Sequence, residues 1–302
     1  MNINWFPGHM AKALRNIEEY LPMVDVVIET SDARIPRSSR NPELSKRIKN
    51  KPHILVFNKS DLADPEQTKL WIQSLESDAL HVLTSNAKDQ NSLKKVRDLA
   101  KSLAQDKLDR IEEGGRQNRP LRIMFVGIPN TGKSTLINAM SARRAANTAN
   151  TPGVTRGPQW VKTKDSKVEL LDMPGVLWPK LETDEEKLSL AATGAIRDTV
   201  LPMEELAFFL FKHLLKLYPE AIESRFRIQN TDIDPYDLYL QAAKRRGCIM
   251  SGGRIDEVRF AELFIHEYRN GTIGRMTLEQ IETDNTSTVH EDNGEDMIRG
   301  SY

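Results

Sequence analysis

The stretch Leu121-Arg-Ile-Met-Phe-Val126-Gly127-Ile-Pro-Asn-Thr-Gly132-Lys133-Ser134 decides the fold class. Its second half matches the phosphate-loop pattern G-x-x-x-x-G-K-[ST] without a mismatch. It lies between an apolar run that predicts a strand, 121–126, and a segment that predicts a helix, 133–141. Glycines at both ends let the backbone present a cradle of N–H groups at a helix N-terminus, where phosphate oxygens bind. A chance glycine-rich turn is the alternative.

The loop predicts a nucleoside triphosphate site with Mg²⁺ as cofactor. Lys133 would bring positive charge to the β- and γ-phosphates and is therefore a candidate catalytic residue, and the Ser134 hydroxyl would ligate Mg²⁺. The other predicted nucleotide contacts of this loop are Asn130, Thr131, Gly132 and Thr135.

The base is predicted from a motif that comes earlier in the chain. Asn58-Lys59-Ser60-Asp61 follows the apolar run 53–57 and fits the N-K-x-D pattern. The Asp61 carboxylate can accept from the N1–H and the exocyclic amine of guanine, a donor pair that adenine lacks. Asn58 can serve O6 or N7, and the Lys59 stem can cover the base.

A supporting loop is expected one strand and one helix later. Thr84-Ser85-Asn86-Ala87-Lys88 follows the predicted strand 79–83 and comes close to the usual S-A-K, with Asn86 at the serine position. Its expected contribution is a backbone N–H to O6, for which the side chain matters little.

Two segments after the phosphate loop predict contacts to Mg²⁺ and the γ-phosphate. Asp172-Met-Pro-Gly175 fits D-x-x-G, with the aspartate holding Mg²⁺ through water and the glycine N–H meeting the γ-phosphate. Thr155, within Thr151–Gly157, is the candidate switch threonine, which ligates Mg²⁺ only while the γ-phosphate is present. An ordinary glycine turn is the alternative for these segments.

The order of these motifs is base, base support, phosphate, first switch, second switch. An ordinary GTPase begins with the phosphate loop, so the order predicts a circular permutation whose joint lies at about 104–120. Original chain ends commonly lie close together, which makes such a joint feasible. The second switch then leads directly into the C-terminal part of the chain, and we expect the γ-phosphate to set the orientation of that part.

The residue after Gly175 is Val176, where many GTPases carry the glutamine that orients the attacking water. An apolar side chain cannot do this. Either hydrolysis is slow or another residue supplies the function. Asn130 can help to hold K⁺ near the β- and γ-phosphates, which makes K⁺ a second candidate ion. Bracing of the loop is the alternative role for Asn130.

Alternating strands and helices predict an α/β fold, a three-layer P-loop GTPase domain at 1–183 with a mainly parallel sheet. The antiparallel pair is expected at 159–164 and 167–172. Three helical segments, 203–218, 235–246 and 256–269, predict a small all-α domain at 184–280. Residues 281–302, with six acidic residues and one basic residue, predict an acidic disordered tail.

The composition fits a cytoplasmic protein without a membrane span. The sequence has no apolar run long enough for a membrane span and no signal-peptide pattern at its start. Its one cysteine, Cys248, cannot form an intramolecular disulfide and is expected to be a buried filler. We expect a monomer in solution.

Taken together, the motifs resemble the ribosome biogenesis GTPase A family, circularly permuted bacterial GTPases with mitochondrial relatives. The likeness runs from residue 5 to about 280, and the tail beyond falls outside it. The segments that carry it are Trp5–Met10, Asp32–Pro36, Asn58–Asp61, Gly127–Ser134, Thr151–Gly157, Asp172–Pro179, Arg246–Gly253 and the F-x-x-G-x-x-G-R-like Tyr268–Arg275.

The resemblance implies late assembly of the large (50S) ribosomal subunit. The GTP form would bind the precursor particle, its rRNA and its ribosomal proteins, and hydrolysis stimulated by the particle would release the protein. It also implies that His9 replaces the missing glutamine in positioning water, with capping or an RNA contact as the alternative for His9. Candidate phosphate partners in rRNA are Lys244, Arg245, Arg246, Arg254, Arg259, Arg269 and Arg275.

A different class of function is also compatible with the sequence. A GTP-dependent switch module with low turnover would recruit a protein effector and would show neither stimulation by ribosomal particles nor salt-sensitive binding. An ATPase is a third possibility, which altered base preference in Asp61→Asn would exclude.

Overall fold

The computed structural model describes residues 7–113, 119–141, 157–163, 165, 167–178, 181, 183–229 and 233–282. Thr155, residues 114–118 of the predicted joint and residues 283–302 of the predicted tail lie outside the described residues. The described strands are β1 (Val26–Asp32), β2 (His53–Asn58), β3 (His81–Thr84), β4 (Leu121–Gly127), β5 (Gln159–Lys162) and β6 (Val168–Asp172).

Six strands form one sheet in the order β3-β2-β1-β4-β6-β5. All neighbours run parallel except β5, which pairs antiparallel with β6. The predicted α/β class with a mainly parallel sheet is confirmed. Strand β1 extends to Asp32, because its last residues still pair with β2, Asp32 opposite Asn58.

Helices cover both faces of the sheet. The helices of this part are α1 (Pro7–Tyr20), α2 (Pro42–Ile48), α3 (Pro65–Leu75), α4 (Gln90–Glu113) and α5 (Lys133–Met140). Alternation along β1 sends Val26 and Ile28 into a core with α4 and α5, whereas Val27 faces α1 and α2 on the other side. Helix α3 packs beside them over β2. The result is a three-layer arrangement.

A second group of helices follows the sheet: α6 (Asp184–Ala192), α7 (Met203–Leu217), α8 (Pro219–Phe226), α9 (Pro235–Arg245) and α10 (Glu257–Arg269). We call residues 184–269 the helical unit. The sequence analysis did not predict α2, α6 and α8, since helices of seven to nine residues are too short for a clear helical period.

The hydrophobic core of the helical unit also includes residues from the loops that follow β1, β4 and β6. Ile35 after β1, Ile128 of the phosphate loop, and Leu177 and Trp178 after β6 are all buried in the same cluster as the helices. Cys248 is also buried in this cluster, as expected for a small filler. No helix among the described residues combines the length and apolar character needed to cross a bilayer.

Candidate nucleotide-binding site

The predicted motifs meet at the carboxyl edge of the parallel strands. In the sheet register, Asp32 lies opposite Asn58, Thr30 opposite Gly127 and Phe125 opposite Asp172. Because neighbouring parallel strands end at the same edge, the loops that follow β2, β4 and β6 come together there. The tertiary structure thereby gathers motifs that lie between residues 58 and 175 of the sequence.

The phosphate loop, residues 127–134, runs from the end of β4 into the N-terminus of α5. Gly132 adopts a left-handed φ of 82° and immediately precedes α5, so the loop turns where a side chain would be strained. Thr131 is buried, and its hydroxyl lies 2.8 Å from that of Thr30 on β1. The Thr131 side chain therefore braces the loop, which leaves its backbone as the group available to a phosphate.

Lys133, Ser134 and Asp172 form a buried polar cluster at the start of α5. The Lys133 ammonium pairs with the Asp172 carboxylate, and the Ser134 hydroxyl donates to the same carboxylate at 3.2 Å. Burial lowers the pKa of Lys133, and the nearby Asp172 opposes that shift. The converging hydroxyl and carboxylate oxygens are the hard donors that Mg²⁺ prefers, so these residues fit the predicted ion.

The base loop, residues 58–63, continues from the end of β2. Asn58 is 2% exposed, and its side-chain amide donates to the Thr131 carbonyl at 2.9 Å. Lys59 adopts a left-handed φ of 56°, and its ammonium donates to the Asn130 carbonyl at 2.5 Å. The structure therefore places both side chains against the phosphate loop, whereas Asp61 is exposed and free of protein donors among the described residues.

The support loop, residues 84–88, holds the base loop from one side. The Ser60 backbone N–H and hydroxyl both donate to the Ser85 carbonyl, at 3.3 and 3.2 Å. The Asn86 side chain accepts from the Lys88 N–H and so closes a turn. Among the described residues no acceptor takes the Ala87 N–H, which is the group expected to meet guanine O6.

A buried ion network behind Lys59 was not predicted as part of the site. Arg34 is 1% exposed and donates from Nε and Nη2 to Asp32, at 2.9 and 2.8 Å. Lys59 also donates to Asp32 at 2.9 Å. Burial would raise the pKa of Asp32, but Arg34 and Lys59 outweigh it and hold that pKa far below its usual value. An aspartate at the end of a buried strand, followed two residues later by an arginine, was the available signal.

The D-x-x-G segment packs directly on the phosphate loop. A Cβ on Gly175 would lie 2.9 Å from the Pro129 nitrogen, so only glycine allows this approach. Val176 is 2% exposed and belongs to the apolar core between the sheet and helices α1 and α2, so it cannot orient water. The backbone of His9 belongs to α1, and its side chain lies outside what the structure describes.

A cavity of about 620 Å³ opens beside the phosphate loop. Lys59, Asn130, Gly132 and Thr135 line one side of it, and residues of the helical unit, including His266, line the other. Asn130 has a positive φ of 60°, and its amide donates to the Gly194 carbonyl at 2.6 Å. Asp61, Lys133, Ser134 and Asp172 do not belong to the lining.

Three of the basic residues predicted to meet rRNA are engaged within the protein. Arg246 pairs with Glu267, Arg269 pairs with Asp198, and Arg275 donates to backbone carbonyls of the base loop. The exposed members of the predicted set are Lys244, Arg245, Arg254 and Arg259.

The sheet order, the phosphate loop and the base loop that precedes it define a circularly permuted P-loop GTPase. The family described as "50S ribosome-binding GTPase" matches residues 122–233. The chain is 42% identical over 280 residues to ribosome biogenesis GTPase A of Priestia megaterium, covering 92% of this chain and 97% of that protein. The chain belongs to the ribosome biogenesis GTPase A family, and it is a GTP-hydrolysing enzyme that binds GTP and GDP.

Other relatives agree with this assignment. Mouse mitochondrial ribosome-associated GTPase 1 is 33% identical, covering 91% of this chain and 90% of that protein. The GDP-bound structure of YlqF and the GNP-bound structure of YlqF from T. maritima superpose with TM-scores of 0.60 and 0.59. Both are 25% identical to this chain and cover 87% and 89% of it, and this chain covers 98% of each.

Proposed function

We propose that this GTPase is an assembly factor for late maturation of the large ribosomal subunit, whose hydrolysis of GTP is stimulated by the precursor particle. The observation that carries the proposal is the position of Leu177 and Trp178. These residues follow Gly175 with only Val176 between, and they are buried in the core of the helical unit. A γ-phosphate contact at Gly175 would therefore act on the packing of the helical unit, which is the means by which a nucleotide could control binding to a particle.

The proposed nucleotide contacts follow the motifs. Asp61 and the Ala87 N–H would read guanine, while Lys133 and the phosphate-loop backbone would hold the phosphates. Asn58 and Lys59 would act by fixing the base loop to the phosphate loop, as their hydrogen bonds indicate. The remaining proposed contacts are those of Ser60, Asn86, Asn130, Thr131, Gly132, Ser134, Thr135 and Gly175.

Ser134, Thr155 and Asp172 would hold Mg²⁺, Asp172 through water. The ion, when bound, neutralises charge that develops on the β- and γ-phosphates during transfer. Asn130 is the proposed K⁺ contact. Its amide now donates to Gly194, so K⁺ binding and the packing of the helical unit would share this residue.

His9 is the proposed water-positioning residue, because Val176 is apolar and buried where a glutamine would be needed. Its place on the first turns of α1 leaves it near the start of the chain. The test is a His9→Ala protein that still binds large subunits. The proposal expects stimulated turnover to fall at least about 100-fold, a typical loss for a group that acts in proton transfer or water positioning. Undiminished stimulated turnover would exclude the catalytic role of His9.

We propose that the helical unit binds rRNA through its exposed basic residues. Lys244, Arg245, Arg254 and Arg259 are exposed there and would neutralise phosphates. Binding to large subunits should then weaken steeply as salt concentration rises. Replacement of these four residues by alanine should reduce the salt dependence as well as the affinity.

The deciding experiment measures GTP turnover with and without 50S subunits, first in K⁺ and then in Na⁺. Strong stimulation by 50S subunits supports the assembly factor. Turnover that is lower in Na⁺ than in K⁺ for the wild-type protein, with no such difference for Asn130→Ala, supports the K⁺ contact. Low turnover that 50S subunits do not change, together with affinity for a protein partner, would favour the effector-recruiting switch instead.

A further inference from the structure

The motif Tyr268–Arg275 ends helix α10, and the proposed function makes no use of it. Here the chain leaves the helical unit and returns to the base loop. We call residues 268–278 the returning segment. It contains an aromatic residue at 268, glycines at 271 and 274 and an arginine at 275.

Three hydrogen bonds join the returning segment to the base loop. Arg275 donates from Nη2 to the Ser60 carbonyl and from Nε to the Ala63 carbonyl, both at 3.0 Å. The Met276 N–H donates to the Leu62 carbonyl, also at 3.0 Å. Three of the four carbonyls from Ser60 to Ala63 are therefore held by one short segment, and the residue between them is Asp61.

The base loop is consequently held from two sides. In the support loop, the Ser85 carbonyl accepts hydrogen bonds from the Ser60 N–H and hydroxyl. On the other side, Arg275 donates to the Ser60 carbonyl. Asp61 follows Ser60 directly, so the direction of its carboxylate depends on both contacts.

Gly271 lies where the returning segment meets the base loop. It has a left-handed φ of +70°, which favours glycine, and a Cβ there would lie 2.8 Å from Leu62 Cδ2, the end of a side chain that can rotate away.

The same segment also contacts the ion network behind Lys59. The Arg34 guanidinium lies 5.2 Å from the centre of the Tyr268 ring, and the Leu278 N–H donates to the Arg34 carbonyl at 2.8 Å. Arg34 pairs with Asp32, which pairs with Lys59. The returning segment thus contacts the base loop directly and reaches Lys59 indirectly, through Arg34 and Asp32.

We propose that Arg275 is a positioning residue for guanine recognition, which fixes the base loop so that the Asp61 carboxylate meets the N1–H and the 2-amino group together. The proposal rests on the base-reading role of Asn58–Asp61. A carboxylate that accepts two parallel hydrogen bonds needs both distances and both angles to be right. A shifted loop keeps the phosphate contacts and loses discrimination between bases.

The experiment compares GDP with inosine diphosphate, which lacks the 2-amino group, by isothermal titration calorimetry. The wild-type protein should prefer GDP by about tenfold, the equivalent of one charge-assisted hydrogen bond. In Arg275→Ala, GDP affinity should fall by about tenfold while inosine diphosphate affinity changes little, so the preference disappears. Arg275→Lys should retain part of the preference, and Lys216→Ala, an exposed change on α7, should retain all of it. Thermal unfolding midpoints establish that each variant is folded.

The outcomes distinguish a failure of the positioning role of Arg275 from a failure of the base-reading role of Asn58–Asp61. An Arg275→Ala protein that keeps the full preference for GDP, or that loses GDP and inosine diphosphate affinity by the same factor, overturns the positioning role alone. A wild-type protein that shows no preference, together with an Asp61→Asn protein that shows none, overturns the base-reading role and with it this proposal.

Discussion

The side-chain amide of Asn58 donates a 2.9 Å hydrogen bond to the backbone carbonyl of Thr131, so the base loop and the phosphate loop are joined although 73 residues separate them. The contact is tight, because a Cβ on Gly132 would collide with the Asn58 amide nitrogen. Asn58 therefore links the two loops structurally, and Gly132 is required by this contact as well as by its φ.

Asn58→Ala should weaken binding of GDP and GTP by a similar factor. The change leaves the buried Thr131 carbonyl without its donor, which costs about 1–3 kcal/mol, or about 5- to 150-fold in affinity. Calorimetric titration of both nucleotides measures this. Asn91→Ala, at an exposed asparagine, is the matched control. Unchanged affinities in Asn58→Ala would show that nucleotide binding does not need the hydrogen bond between Asn58 and Thr131.

Asp172→Asn should raise the Mg²⁺ concentration required for half-maximal GTP hydrolysis by at least about tenfold. The amide keeps the shape of the side chain but removes the negative charge that faces Lys133 and Ser134. Turnover measured across a Mg²⁺ titration gives the shift. The same Mg²⁺ requirement in wild type and variant would place the ion elsewhere.

Gly175→Ala should weaken binding of a non-hydrolysable GTP analogue by at least about tenfold while GDP affinity changes little. A Cβ at this position would lie 2.9 Å from the Pro129 nitrogen and 3.0 Å from its Cα, so the D-x-x-G segment must move away from the phosphate loop. Only the γ-phosphate needs that segment. GDP therefore serves as the internal control, and an equal loss for both nucleotides would contradict the prediction.

Asp32→Ala should reduce the free energy of unfolding by about 3–5 kcal/mol, because it leaves the buried Arg34 and the half-buried Lys59 without their carboxylate. Asp184→Ala breaks an exposed ion pair with Lys187 and should change the free energy of unfolding far less, because water and salt screen such a pair. Urea unfolding of the two variants gives the comparison. Equal losses would contradict a special role for the network.

The same network sets a pH dependence. The pKa of Asp32 is lower in the folded protein than in the unfolded chain, because Arg34 and Lys59 outweigh the effect of burial. The folded state then binds fewer protons, so the contribution of Asp32 to stability is complete above about pH 4 and declines as the pH falls below that value. The stability difference between wild type and Asp32→Ala should stay constant from pH 7 to 5 and shrink below pH 4.

The sequence by itself predicted the fold class and the order of the motifs. The G-x-x-x-x-G-K-[ST] loop between an apolar run and a helical segment predicted the α/β class, and the position of Asn58–Asp61 ahead of it predicted the permuted order. These signals are local, since a phosphate cradle and a buried strand each need only a few adjacent residues of the right type.

Only the tertiary structure decided which side chains of the motifs contact other parts of the protein. Asn58, Lys59 and Thr131 were predicted as nucleotide contacts, and the structure turns their side chains toward protein partners, because the carboxyl edge of a parallel sheet brings distant loops into contact. The burial of Trp178 among the helices and the return of Arg275 to the base loop depend on contacts between residues far apart in the chain. Neither periodicity nor a motif records such contacts, which exist only once the sheet has formed and the helical unit has packed against it.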